Sequence, residues 1–280
     1  MLVLENKVAL ITGSSSGIGE AVAVQLWSMG ASVVITGRDT KRIDAVIARC
    51  LNSSQPATGI TKQDDGDHRR RHQKAIGVKA DILVDTDMDL LVDRVTDEFG
   101  GQLDILVNNA GVATVASFLD TDNLELFDVE VKFIRAHQRL TRLLIPLLTI
   151  ASTSSGSSSS IVNVSAFTDR ASYEVLANML CKSSLDMFTK CLALELAPKG
   201  VRVNSVGPGT IITPMVTNNP AFNDVIYLPD FLQTIPLGRP ATADEVANAV
   251  VFLAVTPKCA VSGDSFTNGI KLNVTGGQFL

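Results

Sequence analysis

Apolar residues along the chain alternate between short runs of strand length and longer segments with helical spacing. The strand-length runs cover residues 7–11, 32–36, 76–79, 105–108, 161–164, 202–206 and 271–274. The helical segments lie between them, at residues 18–29, 41–50, 88–99, 124–148, 176–196 and 243–253. This alternation is typical of repeated βαβ units. It predicts an α/β fold with one doubly wound sheet of about seven parallel strands and helices on both faces.

Three segments interrupt the alternation. Residues 52–74 carry charges of both signs with Gly and Pro but no apolar period, which predicts a polar surface insertion. Residues 152–160 read STSSGSSSS and predict a flexible Ser-rich loop. Residues 214–236 follow the strand predicted at residues 202–206 and break the alternation, which predicts a lid over a substrate cleft. Its apolar side chains indicate either an apolar ligand or packing, and they are Met215, Phe222, Ile226, Tyr227 and Phe231. Because the alternation resumes after each segment, we expect residues 1–280 to form a single domain.

Composition narrows the classes of partner. The formal net charge is −5, so the chain lacks the basic field that holds a nucleic acid. No apolar run of about 18 residues is present, and polar residues follow the first few apolar ones, so we expect a soluble cytoplasmic protein without a membrane partner. The three histidines predict no metal site. The four cysteines are interpreted as buried, reduced thiols: Cys50, Cys181, Cys191 and Cys259.

A glycine-rich turn joins the first predicted strand to the first predicted helix, and it reads T-G-S-S-S-G-I-G at residues 12–19. In such a turn Gly13 permits a tight bend, Gly17 lets the backbone approach a pyrophosphate, and Gly19 allows the helix to pack on the strand. The helix N-terminus adds free N–H groups that favour phosphate. The residues expected at a dinucleotide are Gly13, Ser15, Ser16, Gly17, Ile18 and Gly19. The alternative is a turn without a ligand.

The end of the second predicted strand bears on the choice of cofactor. A carboxylate there would bind the ribose 2′-hydroxyl of NAD(H), but the chain has Gly37 followed by Arg38. An arginine can pair with a 2′-phosphate, so NADP(H) is favoured over NAD(H). The alternative is a solvated arginine, with Asp39 beside it.

Three motifs in order give the chain a family resemblance. The glycine-rich turn, N-N-A-G at residues 108–111 and P-G at residues 208–209 resemble the short-chain dehydrogenase/reductase family over nearly the whole chain. The resemblance implies a single Rossmann-type domain that binds a nicotinamide dinucleotide. It places Asp81 and Ile82 at the adenine, and Ile211 and Thr213 at the nicotinamide. The other residues that it implies along the cofactor are Asn109, Ala110, Gly111, Lys182, Pro208 and Gly209.

The resemblance also identifies catalytic positions, at which this chain departs from the family. The family carries Tyr-x-x-x-Lys on one helix, with a serine thirteen residues before the tyrosine. Here Ser165 and Lys182 match, but Asn178 stands where the tyrosine belongs. Tyr173, nine residues before Lys182, does not share its helical face. Where the family has an asparagine on the preceding helix, the chain reads Lys132, Phe133 and Ile134.

Two functions are therefore expected from these residues. The first is an NADP(H)-binding oxidoreductase that acts on a small, apolar carbonyl or alcohol, with impaired activity because the amide of Asn178 cannot deliver a proton. The alternative is a non-catalytic dinucleotide-binding pseudoenzyme that acts as a sensor or oligomer partner. The cofactor motifs are compatible with both functions. The absence of the tyrosine hydroxyl is the feature that bears on the choice between them.

The predicted helix at residues 176–196 is apolar on more than one face. Its apolar residues are Leu176, Met179, Leu180, Leu185, Met187, Phe188, Leu192 and Leu194. The resemblance implies that this helix and the one before it pair across a two-fold axis. We therefore expect a homodimer or homotetramer.

Overall fold

The computed structural model describes residues 4–53, 73–119, 123–155, 158–169, 175–255 and 266–278. Its strands are β1 (Val8–Ile11), β2 (Ser32–Gly37), β3 (Ala75–Lys79), β4 (Ile105–Asn108), β5 (Ser159–Val164), β6 (Val201–Pro208), β7 (Ile211–Ile212), β8 (Ala241–Thr242) and β9 (Lys271–Val274). Its helices are α1 (Gly17–Ser28), α2 (Thr40–Asn52), α3 (Asp85–Phe99), α4 (Asn123–Ser155), α5 (Leu176–Leu196), α6 (Pro214–Thr217), α7 (Pro220–Asn223), α8 (Pro229–Gln233) and α9 (Ala243–Ala254). A 3₁₀ turn, Ala197–Lys199, follows α5.

Seven strands form one parallel sheet in the order β3-β2-β1-β4-β5-β6-β9, which confirms the predicted fold. The register places Ala9 of β1 between Val33 of β2 and Ile105 of β4. The chain runs outward from β1 to β3 on one side and from β4 to β9 on the other. The order therefore reverses between β1 and β4, and the carboxyl ends of these two strands open a crevice of the kind that binds ligands in doubly wound folds.

Successive side chains along the strands lie on opposite faces of the sheet and pack into two hydrophobic cores. In β1, Ala9 and Ile11 belong to the core beneath α1, α2 and α9, whereas Val8 and Leu10 belong to the core beneath α3, α4 and α5. Both faces of the central strands are therefore covered, and this explains why these strands read as continuous apolar runs. Within the part of the chain that the structure describes, none of the helices combines the length and apolarity needed to cross a bilayer.

The Ser-rich segment predicted as a loop at residues 152–160 differs in the structure. Helix α4 continues to Ser155, and β5 begins at Ser159. Hydroxyls near the helix end and the strand start donate to buried backbone carbonyls: Ser152 Oγ to Gly200 O at 2.9 Å, and Ser159 Oγ to Leu148 O at 2.8 Å. These bonds satisfy the serines, and regular structure therefore extends further than composition indicates.

The other two predicted segments have different outcomes. Asn52 of the predicted insertion at residues 52–74 ends α2, and residues 54–72 lie outside the described residues. The predicted lid at residues 214–236 contains the three short helices α6, α7 and α8. Each of them begins at a proline, a residue suited to the first turn because it has no N–H to leave unpaired.

The cysteines are partly as expected. Cys50 and Cys181 are buried, and burial raises the pKa of each thiol to about 11. The prediction is wrong for Cys191, which is exposed. Because apolar residues occur on several faces of α5, the sequence pattern did not show which face of this helix is exposed to solvent. Cys259 lies outside the described residues.

Candidate functional site: a dinucleotide cleft with an amide at its reactive end

The loops that follow β1 and β4 are tied together by side-chain to backbone hydrogen bonds. Thr12 Oγ1 accepts from the backbone N–H groups of Asn109, at 2.9 Å, and Ala110, at 3.0 Å. In return, Asn109 Nδ2 donates to Thr12 O at 2.9 Å and to Gly13 O at 3.2 Å. The glycine-rich turn is thereby held against N-N-A-G at the crevice.

Two glycines in this turn have no room for a side chain. A Cβ on Gly13, whose φ is +63°, would lie 2.9 Å from the Cα of Ala110. A Cβ on Gly19 would lie 2.5 Å from Asn109 Nδ2 and 2.7 Å from Gly13 O. The close approach of the two loops therefore requires both glycines, and the open cradle beside them fits a dinucleotide pyrophosphate.

The crevice opens into a cleft of about 930 Å³. It brings together all but one of the predicted site residues: Gly13, Ser15, Ser16, Gly17, Ile18, Arg38, Asp81, Ile82, Asn109, Ala110, Gly111, Ser165, Asn178, Lys182, Pro208, Gly209, Ile211 and Thr213. Gly19 does not line the cleft and packs beneath the turn. Tyr173 lies outside the described residues. In the described ranges, no three His, Cys, Asp or Glu side chains converge as a metal-binding group.

Ser165 and Lys182 meet at one end of the cleft, which we call the candidate reactive end. Ser165, directly after β5, donates from Oγ to the backbone oxygen of Lys182 on α5, at 3.2 Å. Lys182 Nζ in turn donates to Val164 O at 2.9 Å. Burial lowers the pKa of Lys182, and the negative charges of Glu130 and Asp186 partly oppose that effect. Both side chains are thus fixed to the end of β5.

Asn178 lies one helical turn before Lys182 and is 7% exposed. Its Nδ2 donates to Val112 O at 3.2 Å and to Glu130 Oε1 at 3.1 Å. Glu130 is 2% exposed, and the same oxygen accepts from the N–H of Thr114 at 3.0 Å and from Thr114 Oγ1 at 3.1 Å. The amide of Asn178 is therefore held between a backbone carbonyl and a buried carboxylate.

Glu130 was not found by the sequence reasoning. Of the three positions considered on α4, Phe133 lines the cleft. Glu130 precedes it by three residues and therefore shares its helical face. An acidic residue on the inward face of an amphipathic helix was the available signal, but its partner Asn178 is 48 residues away along the chain.

Lys271 of β9 was also missed, and it anchors the segment that follows Ser165. Its Nζ contacts Thr168 Oγ1 at 2.7 Å, Asp169 Oδ1 at 3.3 Å and Asp186 Oδ2 at 3.0 Å. Asp186 lies one turn beyond Lys182 on α5. Lys271 thereby connects the sheet edge, the segment after β5 and α5, the elements that position the reactive end.

The predicted lid supplies an apolar wall. Four of its apolar side chains line the cleft: Met215, Phe222, Ile226 and Phe231. Tyr227 does not line it and is 53% exposed. The reactive end therefore faces a largely apolar surface.

Comparisons with known proteins agree with this geometry. The family model described as enoyl-(acyl carrier protein) reductase matches residues 60–269. The chain is 33% identical to the 3-oxoacyl-[acyl-carrier-protein] reductase of Aquifex aeolicus, with 99% of this chain and 98% of that protein covered.

Two solved structures are also similar. The first is the 3-ketoacyl-(acyl-carrier-protein) reductase of Brucella melitensis complexed with NADH, with a TM-score of 0.78, 30% identity and coverage of 99% of this chain and 100% of that chain. The second is the L-sorbose reductase of Gluconobacter frateurii complexed with NADPH and L-sorbose, with a TM-score of 0.80, 26% identity and coverage of 99% and 98%.

His137, on α4, is a buried titratable group close to the site. It is 1% exposed. Burial lowers its pKa to about 3, the charge of Lys182 acts in the same direction, and the Ala110 backbone opposes both. The folded protein therefore holds this imidazole neutral at pH values where the unfolded chain protonates it.

This difference predicts a pH-dependent stability. Between the folded value of about 3 and the ordinary value of 6.5, the unfolded state binds one more proton at this residue, so stability rises with pH and is lost as pH falls through that window. We expect His137→Leu to remove about 1.4 kcal/mol of the stability that is lost between pH 7.5 and pH 5.5. Urea unfolding of both proteins near pH 7.5 and pH 5.5 measures it. Gln138→Leu on the same helix is the control, and an unchanged slope in His137→Leu would contradict the assignment.

Proposed function

The chain belongs to the short-chain dehydrogenase/reductase family, and from that premise we propose that it binds NADP(H) and an apolar alcohol or carbonyl compound, with impaired proton transfer. The observation that carries the proposal is the amide of Asn178, which lies at the reactive end of a cleft whose dinucleotide cradle is otherwise complete.

Similarity to proteins solved with NADH or NADPH supports a nicotinamide dinucleotide, and the end of β2 favours the phosphorylated form. The Arg38 side chain is 77% exposed at the cleft, and Arg42 also lines it. A Cβ on Gly37 would lie 2.5 Å from Ser15 Oγ and 2.9 Å from Ser15 Cβ. A carboxylate that selects NAD(H) at position 37 would therefore clash with Ser15. Among the described residues, Arg38 and Arg42 form only exposed ion pairs, with Asp81 at 4.0 Å and Asp39 at 3.5 Å, and these cations could turn to a 2′-phosphate.

We predict that NADPH binds about tenfold more tightly than NADH, because each charge-assisted hydrogen bond contributes about 1.5–3 kcal/mol before solvent screening at this exposed site. Arg38→Ala should remove most of that preference. Fluorescence titration of both cofactors measures it, with Arg94→Ala on α3 as a control outside the cleft. Equal affinities for the two cofactors in the unmutated protein would refute the preference.

Reduction of a carbonyl needs a hydride, which the dinucleotide supplies when bound, and a proton at the substrate oxygen. Ser165 and Lys182 line the cleft, but the amide at position 178 does not ionise in the accessible pH range. Both N–H bonds of Asn178 are also directed away, toward Val112 O and Glu130. Loss of a general acid typically lowers a rate by about 10²–10⁴. We therefore propose slow turnover.

A second candidate is a protein that binds dinucleotide and ligand without turnover. The observation that favours it is Glu130, because its buried carboxylate gives the amide a dedicated partner. Restoring the phenol would then require displacement of a satisfied network. The turnover of the unmutated protein separates the two candidates.

Asn178→Tyr tests the missing phenol. The positive charge of Lys182 should lower the phenol pKa toward a useful range, so we expect NADPH-dependent reduction of simple diketones or aldehydes to be at least about tenfold faster than in the unmutated protein. Asn178→Phe is the matched control, since it adds the ring without the hydroxyl and should give no gain. The absorbance of the nicotinamide band gives the rates. Brisk turnover by the unmutated protein, slowed by Asn178→Tyr, would show that Asn178 is not the limiting group.

We further propose that the chain assembles as a homodimer or homotetramer through α4 and α5. Three apolar side chains of α5 are exposed, Leu180 at 52%, Met187 at 57% and Leu194 at 81%, and Ile150 of α4 is 53% exposed. Leu180, Met187 and Leu194 are spaced seven residues apart and therefore share one face of α5, and an exposed apolar helix face is typical of interfaces. Light scattering at micromolar concentration should give twice or four times the chain mass of 29.8 kDa, and Leu194→Glu should lower it. A monomer in the unmutated protein would contradict the proposal.

A further inference from the structure

We propose that Asn178 presents a hydrogen-bond acceptor to the cleft and therefore selects a ligand hydroxyl over a carbonyl at this position, with Glu130 as the positioning residue. The inference deepens the proposed function and rests on it, because it concerns the ligand that shares the cleft with the dinucleotide. The ligand bound at this position is then the alcohol, and not the ketone, of an apolar alcohol–ketone pair.

The orientation of the amide follows from its partners. Val112 O and Glu130 Oε1 are both acceptors, so the side that faces them must be the NH₂ group, and each of its two hydrogens has one partner. The oxygen Oδ1 accepts no hydrogen bond from the described residues. Because Asn178 lines the cleft, this oxygen remains for a ligand.

Glu130 is what prevents the amide from rotating by 180°. In the rotated amide, Oδ1 would face the carboxylate oxygen and Val112 O, which places lone pairs against lone pairs in a buried site. Glu130 Oε1 is itself held by two bonds from Thr114, so it cannot move away at little cost. The polarity of the amide is therefore fixed by Val112 O and by Glu130, a residue that does not itself line the cleft.

The neighbouring groups reinforce this polarity. The proton of Ser165 is directed to the backbone oxygen of Lys182, which leaves lone pairs of Oγ for the cleft. Several side chains that line the cleft near this end are apolar, among them Val112, Phe133 and Met179. A ligand hydroxyl can donate to Oδ1, whereas a carbonyl oxygen there would meet an acceptor in a poorly solvated place.

Calorimetry with cyclohexanol and cyclohexanone, which have nearly the same size, tests the inference in the full-length protein without dinucleotide and with saturating NADP⁺. We expect the alcohol to bind about three- to tenfold more tightly, the range that one net hydrogen bond gives. Equal affinity, tighter ketone binding, or binding of neither compound at millimolar concentration overturns the inference. Titration of NADP⁺ in the same samples reports separately on the proposed function, since its failure would appear there.

Three variants test the assigned roles. Asn178→Leu keeps the approximate size and should bring the affinity ratio of alcohol to ketone to about one. Glu130→Leu releases the NH₂ group and should also lower the ratio, whereas Glu130→Gln retains an acceptor oxygen and should preserve it. A purely structural role for Glu130 would weaken both compounds equally and leave the ratio unchanged, and that result would overturn its assignment. Asn178→Leu decides the polarity of the site even if Glu130→Leu does not fold.

Discussion

The hydrogen bonds between Thr12 and Asn109 set the geometry on which the site depends. They join the loops after two adjacent parallel strands, β1 and β4, at the point where the strand order reverses. Because the loops lie so close, Gly13 and Gly19 cannot carry side chains. Gly13 and Gly17 of the same turn line the cleft, where backbone without a side chain suits a phosphate.

At the other end of the cleft, we propose that the pair of Asn178 and Glu130 replaces the chemistry that the family leads one to expect. Asn178 is too short to fill the place of a tyrosine, and its amide turns toward Val112 and Glu130. A buried carboxylate without such donors would be strongly destabilising, and a buried amide without acceptors would be destabilising too. The two residues therefore satisfy each other. Ser165 and Lys182 lie at the end of β5, and under the proposed function they frame the cleft without a proton donor at position 178.

The fold and the grouping of the glycine-rich turn with the other lining residues in one cleft could be predicted from the sequence because both depend on local patterns. Strand and helix periods identify the two cores, and the glycine-rich turn is confined to residues 12–19. Contacts between distant residues left no such pattern: Glu130 meets Asn178 across 48 positions, and Lys271 meets Thr168 across 103. The Ser-rich segment was misread for the same reason, since Ser152 is satisfied by the distant Gly200 carbonyl, 48 positions away. The hydrogen bonds that these side chains form depend on partners far away in the sequence, and composition does not identify those partners.

The central claim is that the Asn178 amide is held with its NH₂ group toward Val112 O and Glu130 and its oxygen toward the cleft. The side-chain resonances of asparagine-labelled protein, observed by NMR during exchange into deuterated water, test it most directly. Both NH₂ protons of Asn178 should exchange far more slowly than those of the exposed Asn218, and Glu130→Leu should abolish the difference. Exchange at Asn178 as fast as at Asn218 in the unmutated protein would contradict the account.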